Sequence, residues 1–284
     1  MSIKEYIKSP LNYTGGKFKN LKDIIPLFPE DIHTFVDLFG GGFNVGINIE
    51  AENIIYNDIL SPVTNLLSYI YKTDTKNLLK EIDKYIKEYE LTKENQEGYL
   101  RLREHYNSSI NKSPMELYTL ICYSFNNQIR FNSKGEYNMP FGKNRSSFNP
   151  TLRARFGEFA REMHTKKIAF ISKNFTEIKI EKLHANSFVY VDPPYLGSVA
   201  SYNEQGGWSE QEEKELLELL NNLTEQGVAW ALSNNLKYDN PLLEDFVKKY
   251  RVHYLGSQHS NCSYQKKDKS EDIEILVTNS IKQR

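Results

Sequence analysis

The sequence predicts an α/β fold, a largely parallel sheet with helices on both faces, interrupted by a mostly helical insertion that carries a β-hairpin. Three observations predict it. Strand, glycine turn, helix and strand signals follow one another within the first sixty residues. From Ser61 to about Ser124 apolar residues recur at helical spacing with no strand between them. Strand and helix signals then alternate again from Lys167 onward. The sheet is therefore expected from residues 1–60 and 166–284, and the insertion from 61–165.

The elements can be taken in order. "HTFVDLFGGGFNVGINIE" reads as a short strand, Thr34–Leu38, a loop at Gly40–Gly42, and then a helix. Asn53–Ile59 is a second strand with Asp58 near its end. Within the insertion, "NLLSYIY", "LLKEIDKYIKEY", "YLRLREHY" and "MELYTLICYSF" place apolar residues on one helical face. Gln128–Arg145 reads as a hairpin with Ser133-Lys134-Gly135 at its tip, followed by a helix over Pro150–His164. "KIAFIS" and "SFVYVD" are strands. The next helix has Ser209 as N-cap, Glu212 completing a capping box and Gly227 just past its end. "VAWALSN" is a strand, "NPLLEDFVKKY" a helix, and "RVHYLGS" and "DIEILVTN" are the last two strands.

Composition narrows the class. A chain of 284 residues with 39% hydrophobic and 26% charged residues suits a globular protein. The net charge is -1, so any basic surface must be local. Cys122 and Cys262 stand far apart, with neither a disulfide framework nor zinc spacing, so no metal site is expected. No apolar run reaches signal-peptide or membrane-spanning length, and the expected compartment is the cytoplasm.

Chemistry gathers in three stretches. In "FVYVDPPYLG" a core strand ends in an acid, two prolines and an aromatic ring. Pro193 and Pro194 have no N–H to continue a ladder. Asp192, when ionised, only accepts hydrogen bonds, and the Pro193 carbonyl adds a second acceptor. Two rigid acceptors suit an amino group with two hydrogens, and Tyr195 adds a π-face for a planar ring. The bland alternative is a chain turn that contains an aromatic residue. In Asp37-Leu38-Phe39-Gly40-Gly41-Gly42, glycines let a ligand approach the backbone. Asp58, 21 residues after Asp37, suits ribose hydroxyls; a tight turn with a surface acid is the alternative. Tyr13-Thr14-Gly15-Gly16-Lys17 resembles part of a phosphate loop, but Phe18 stands where Ser or Thr is needed and the upstream glycine is missing. That argues against a nucleoside triphosphate. Lys17 suits a small carboxylate such as that of an amino-acid moiety, or else is a solvated charge.

Asp-Pro-Pro-Tyr, with Tyr-Thr-Gly-Gly-Lys, Asp-Leu-Phe-Gly-Gly-Gly and Tyr-Asn-Asp, resembles the Dam-family DNA adenine-N6 methyltransferases of the α motif order. The likeness runs from about Leu11 to Val277. It implies a Rossmann-like methyltransferase sheet that binds S-adenosyl-L-methionine, and an inserted target-recognition domain that binds double-stranded DNA. It further implies that Tyr13 and Lys17 hold the methionine end of the donor and that the Phe39–Gly42 loop after Asp37, with Gly40 and Gly41, passes beneath it. Asp58 would take the ribose, and Phe175 would sit near the donor's adenine. Asp192, Pro193, Pro194 and Tyr195 would hold a flipped adenine, with Tyr202 and Trp208 as further walls or ordinary packing.

Arg130–Gly142 is similar to the DNA-reading hairpin of Dam proteins. From Arg130 to Lys167 there are nine Lys and Arg against three Asp and Glu. By this likeness Arg130 contacts a guanine edge with Asn132 in support, Gln128 wedges between bases, and Pro140, Lys143 and Arg145 meet DNA. Arg153 and Arg155 look like phosphate contacts. Asn12 stands where some members carry a guanine-reading lysine. GATC is the expected site. A cognate restriction endonuclease and a monomer on DNA are the expected associations. The competing readings are an N4-cytosine methyltransferase, a DNA-binding protein without catalysis, and an enzyme acting on RNA.

Overall fold

The computed structural model describes residues 5–179, 183–197, 207–255 and 273–279. Among them are seven strands: β1 (Thr34–Asp37), β2 (Asn53–Asn57), β3 (Ile168–Ile171), β4 (Ser187–Val191), β5 (Ala229–Asn235), β6 (Arg251–Tyr254) and β7 (Glu274–Thr278). They form one sheet in the order β3-β2-β1-β4-β5-β7-β6. The first five neighbours pair in parallel, while β7 runs antiparallel to both β5 and β6. Strand order turns around between β1 and β4, so a crevice opens at their C-terminal ends.

Period-two alternation gives the sheet two apolar faces. Phe35, Ile54, Tyr56, Phe188 and Tyr190 are buried on one, and Val36, Val189, Val191, Leu232 and Val277 on the other. The first face is covered by α1 (Leu21–Ile24) and by the helices of the insertion: α2 (Ser61–Lys72), α3 (Thr75–Glu88), α4 (Gln96–Ser108), α5 (Pro114–Tyr123) and α6 (Pro150–His164). Leu66, Leu120 and Phe156 belong to the same buried cluster as Phe35. Every residue of α5 from Met115 to Tyr123 is buried, which suits its almost uninterrupted apolar sequence. The second face is covered by α7 (Glu210–Glu225) and α8 (Pro241–Phe246). At α7 the expected capping box forms: the Glu212 N–H donates to Ser209 Oγ at 3.2 Å and the Ser209 N–H to Glu212 Oε2 at 2.8 Å.

Two expectations need correction. No full helix follows the glycine loop; a single 3₁₀ turn, Gly46–Asn48, stands in its place. Phe43 sits at φ 62°, outside the helical region, and the Gly46 N–H is taken by the Asp37 carboxylate at 3.1 Å. Asn44 and Asn48 instead accept the backbone N–H groups of Ser9 and Ile7, tying the N-terminal segment to the sheet. The hairpin is present but minimal. Only Phe131 and Tyr137 bridge as strand partners, flanked by Asn132 N–H to Glu136 O at 2.9 Å and Asn138 N–H to Arg130 O at 3.2 Å. Asn12 and Gln128 form a parallel bridge that joins the N-terminal segment to the insertion. No helix among the described residues is long and apolar enough to cross a membrane. Tyr202, Cys262 and the outer ends of the last two expected strands lie outside the described residues.

Candidate active site

A cavity of about 1080 Å³ opens at the crevice between β1 and β4. It gathers Asn12, Tyr13, Lys17, Asp37, Phe39, Gly40, Gly41, Asp58, Gln128, Phe175, Asp192, Pro193, Pro194 and Tyr195 from six separate parts of the sequence. Arg130, Asn132, Pro140, Lys143 and Arg145 do not line it.

One side of the cavity begins where β4 stops. Lys17 Nζ lies 2.8 Å from Asp192 Oδ1, and these side chains are only 6% and 18% exposed. Lys17 also donates to the Gly15 carbonyl at 3.0 Å and stands 5.2 Å from the Tyr195 ring centroid. The lysine is therefore not a solvated charge; the carboxylate it meets is the chain's own. Burial pushes the Asp192 carboxyl above the ordinary range, and the Lys17 ammonium opposes that shift. The Tyr195 hydroxyl lies 3.4 Å from Asp192 Oδ1 and 3.3 Å from Glu274 Oε2.

The opposite side of the cavity is built by the glycine loop. A Cβ on Gly40 would lie 2.3 Å from the Tyr56 ring, and one on Gly41 3.0 Å from the Tyr13 ring. The loop thus runs between two tyrosines with no room for side chains. The Tyr56 hydroxyl donates to the Gly41 carbonyl at 2.9 Å. The Gly41 N–H donates to Asp58 Oδ2 at 2.9 Å, and the Leu60 N–H to Asp58 Oδ1 at 2.8 Å. Asp58 therefore shapes the loop, and each of its oxygens retains acceptor capacity. Burial raises its carboxyl while these two N–H groups lower it. Asp37 is raised to about 7, chiefly by burial, with Asp192 and Asp58 adding repulsion and the Gly46 N–H opposing. Phe39, Phe175 and Trp208 form an aromatic wall, with ring centroids 5.5–5.7 Å apart. The Trp208 indole N–H is held by buried Glu213 at 2.6 Å.

Beyond the cavity rim lies the hairpin. Arg130 Nε donates to Asn138 Oδ1 at 2.8 Å and its Nη2 to the Asn138 carbonyl at 3.2 Å. The support expected from Asn132 comes from Asn138. Asn132 instead closes the turn, accepting the N–H groups of Lys134 and Glu136. Pro140, Lys143 and Arg145 are exposed. The Arg145 guanidinium lies 5.3 Å from the ring of Phe125, and Asn12 Nδ2 donates to the Asn126 carbonyl at 2.7 Å. Arg153 pairs with Asp83.

Sequence reasoning missed Phe125, Glu274 and Tyr238. Phe125 is 41% exposed and precedes Asn126 and Asn127, both at positive φ. The Asn-Asn pair was the available signal, because asparagine tolerates the left-handed region. Glu274 carried none: it lies 79 residues from Tyr195 and reaches it only through the antiparallel return of β7.

Comparison with known sequences places this geometry among the methyltransferases. Residues 13–261 match the model of the D12 class N6 adenine-specific DNA methyltransferases, and the chain belongs to that family. The family uses S-adenosylmethionine. The chain is 45% identical to the Type II methyltransferase M.FokI of Planomicrobium okeanokoites, over 96% of this chain and 43% of that protein. It is 39% identical to modification methylase StsI of Streptococcus sanguinis, over 98% and 44%. It is 24% identical to the DNA adenine methylase of Escherichia coli K12, over 88% and 87%. The chain spans less than half the length of the first two relatives.

Proposed function

We propose that this chain transfers a methyl group from S-adenosyl-L-methionine to N6 of an adenine flipped out of duplex DNA. The observation that carries this reading is the meeting of Asp192 and Tyr195, at the end of β4, with the glycine loop and Asp58 in one cavity. At about 1080 Å³ that cavity stands at the upper end of the ligand-pocket range, roughly 300–1,000 Å³, which leaves room for a donor with a base at its mouth. The loop at Gly40 and Gly41, where side chains would collide, fits close approach of a nucleoside. When bound, the donor supplies a methyl group on a positively charged sulfur. Tyr13 and Lys17 hold its methionine end, Asp58 accepts from the ribose hydroxyls, and Phe39, Phe175 and Trp208 flank its purine.

Asp192 and the Pro193 carbonyl accept from the two N6 hydrogens and draw the nitrogen toward a tetrahedral geometry. Its lone pair then forms the N–C bond as the C–S bond breaks, with the electrons left on sulfur and one N6 proton passed to Asp192. Tyr195 stacks on the base. Orientation of this kind supplies roughly 7–11 kcal/mol at best.

Residues 61–165 act as the target-recognition domain. Arg130, aligned by Asn138, reads a guanine edge. Gln128 wedges between bases, and Asn12 lies beside it at the rim. Pro140, Lys143 and Arg145 lie along the duplex. The hairpin's likeness to Dam makes GATC the first site to test. The type II relatives are more similar in sequence than the E. coli enzyme, so the chemistry is assigned independently of the site. Those relatives' names also make a cognate restriction endonuclease a natural associate, with a monomer acting on each strand in turn. The test is Asp192→Ala. Methyl transfer should fall at least a hundredfold while duplex DNA binding stays within about threefold. Transfer that survives the substitution, or equal binding to RNA with no transfer to DNA, contradicts the reading.

A further inference from the structure

We propose that Glu274, at the start of β7, is a positioning residue for Tyr195: it takes the single phenol hydrogen and so keeps Asp192 open to the substrate amine. The inference rests on the reading of Asp192 as acceptor for N6. The Tyr195 oxygen stands between two carboxylates, 3.3 Å from Glu274 Oε2 and 3.4 Å from Asp192 Oδ1. A phenol has one hydrogen, so it donates to one of them at a time. Asp192 Oδ1 already accepts from Lys17 at 2.8 Å. A phenol hydrogen turned toward the same oxygen fills its second acceptor site and draws charge from the carboxylate, which weakens Oδ2 as the acceptor left for the amine.

The orientation of Glu274 is itself fixed. Asn235 Nδ2 donates to Glu274 Oε1 at 3.2 Å. The Asn235 amide cannot turn over, because its oxygen accepts the backbone N–H groups of Lys237 at 2.9 Å and Ile273 at 3.3 Å. Glu274 therefore shows one oxygen to an amide donor and the other to the phenol. Among the described residues, the groups that face it are Lys17, Asp192, Tyr190, Tyr195 and Asn235. Burial and the Asp192 charge favour its protonated form, and Lys17, Asn235 and Tyr195 oppose this. When ionised, Glu274 accepts the phenol hydrogen. When protonated, it donates to the phenol oxygen, and the phenol hydrogen turns to Asp192. Turnover should therefore rise with pH as Glu274 ionises.

Glu274→Gln tests this directly. With Asn235 fixed, the new amide must turn its oxygen to Asn235 and its NH2 to the phenol, which imitates the protonated acid. The measurements are kcat for methyl transfer to duplex DNA from pH 5.5 to 8.5, donor affinity, and the melting curve of each variant. The expected result is a kcat lower by roughly tenfold or more at pH 8, with donor Kd within about twofold. In a Tyr195→Phe background the same substitution should change kcat by less than about twofold, because no phenol hydrogen remains to redirect. Equal losses in both backgrounds, or no loss in either, overturn the proposal. Should Glu274→Gln fail to fold, the pH profiles of the wild type and Tyr195→Phe decide: an acid limb unchanged by loss of the phenol overturns it. A wild type that transfers no methyl at all fails the functional reading itself, and that result is read before any variant is compared.

Discussion

Asp37 shows how a single residue couples the site to the fold. Its carboxyl, buried at the end of β1, ionises near about 7 instead of near 3.8. A folded pKa above the unfolded one favours the protonated form in the fold. Its stabilising effect is present below about pH 4 and is lost as pH rises through about 7. Asparagine keeps an acceptor for the Gly46 N–H and carries no charge. Asp37→Asn should therefore flatten the fall in stability between pH 5 and 8, a fall on the order of 3 kcal/mol at most. Urea unfolding at both pH values measures it, and an unchanged pH slope contradicts the assignment. The residues that line the cavity were largely legible, because Asp-Pro-Pro-Tyr and the glycine loop are unusual combinations. Residue partners were less so. That Lys17 would meet Asp192, or that Asn138 rather than Asn132 would hold Arg130, depends on side-chain directions that spacing does not encode.

At the scale of elements, strands and long helices were legible where periodicity was unbroken. α6 begins at Pro150 and ends at His164 as its sequence indicates. The helix expected after Gly42 fails because glycine and asparagine lower its intrinsic propensity while Asp37, Ser9 and Ile7 claim its polar groups. Tertiary hydrogen bonds decided that segment. The glycine loop gives the sharpest test of local packing. Gly40→Ala places a methyl 2.3 Å from the Tyr56 ring, so either ring or loop must move. The expected cost is roughly 1–3 kcal/mol of stability. Donor affinity should fall at the same time if the displaced loop forms the donor's floor, as proposed. Thermal melting and calorimetric titration with S-adenosylmethionine measure the two effects. A variant with unchanged affinity would remove the loop from the donor site.

For the whole molecule, a net charge of -1 conceals a basic stretch, nine Lys and Arg against three acids over residues 130–167. If Lys143 and Arg145 each neutralise a phosphate, Lys143→Ala with Arg145→Ala should lower the salt dependence of DNA binding by about two counterions. A slope equal to that of the wild type would move the duplex elsewhere on the surface. The order of strands and helices was legible because β-strand and helix periods differ. The sharing of one buried cluster between the insertion and the sheet was not, since packing between segments distant in sequence leaves no local pattern. The central claim is that the cavity between β1 and β4 methylates adenine. Its most direct test gives the purified chain labelled S-adenosylmethionine and unmethylated genomic DNA, then digests the DNA to nucleosides. The account predicts label in N6-methyladenine, confined to one short sequence. Label in N4-methylcytosine, or no labelled base while the DNA is bound, would contradict it.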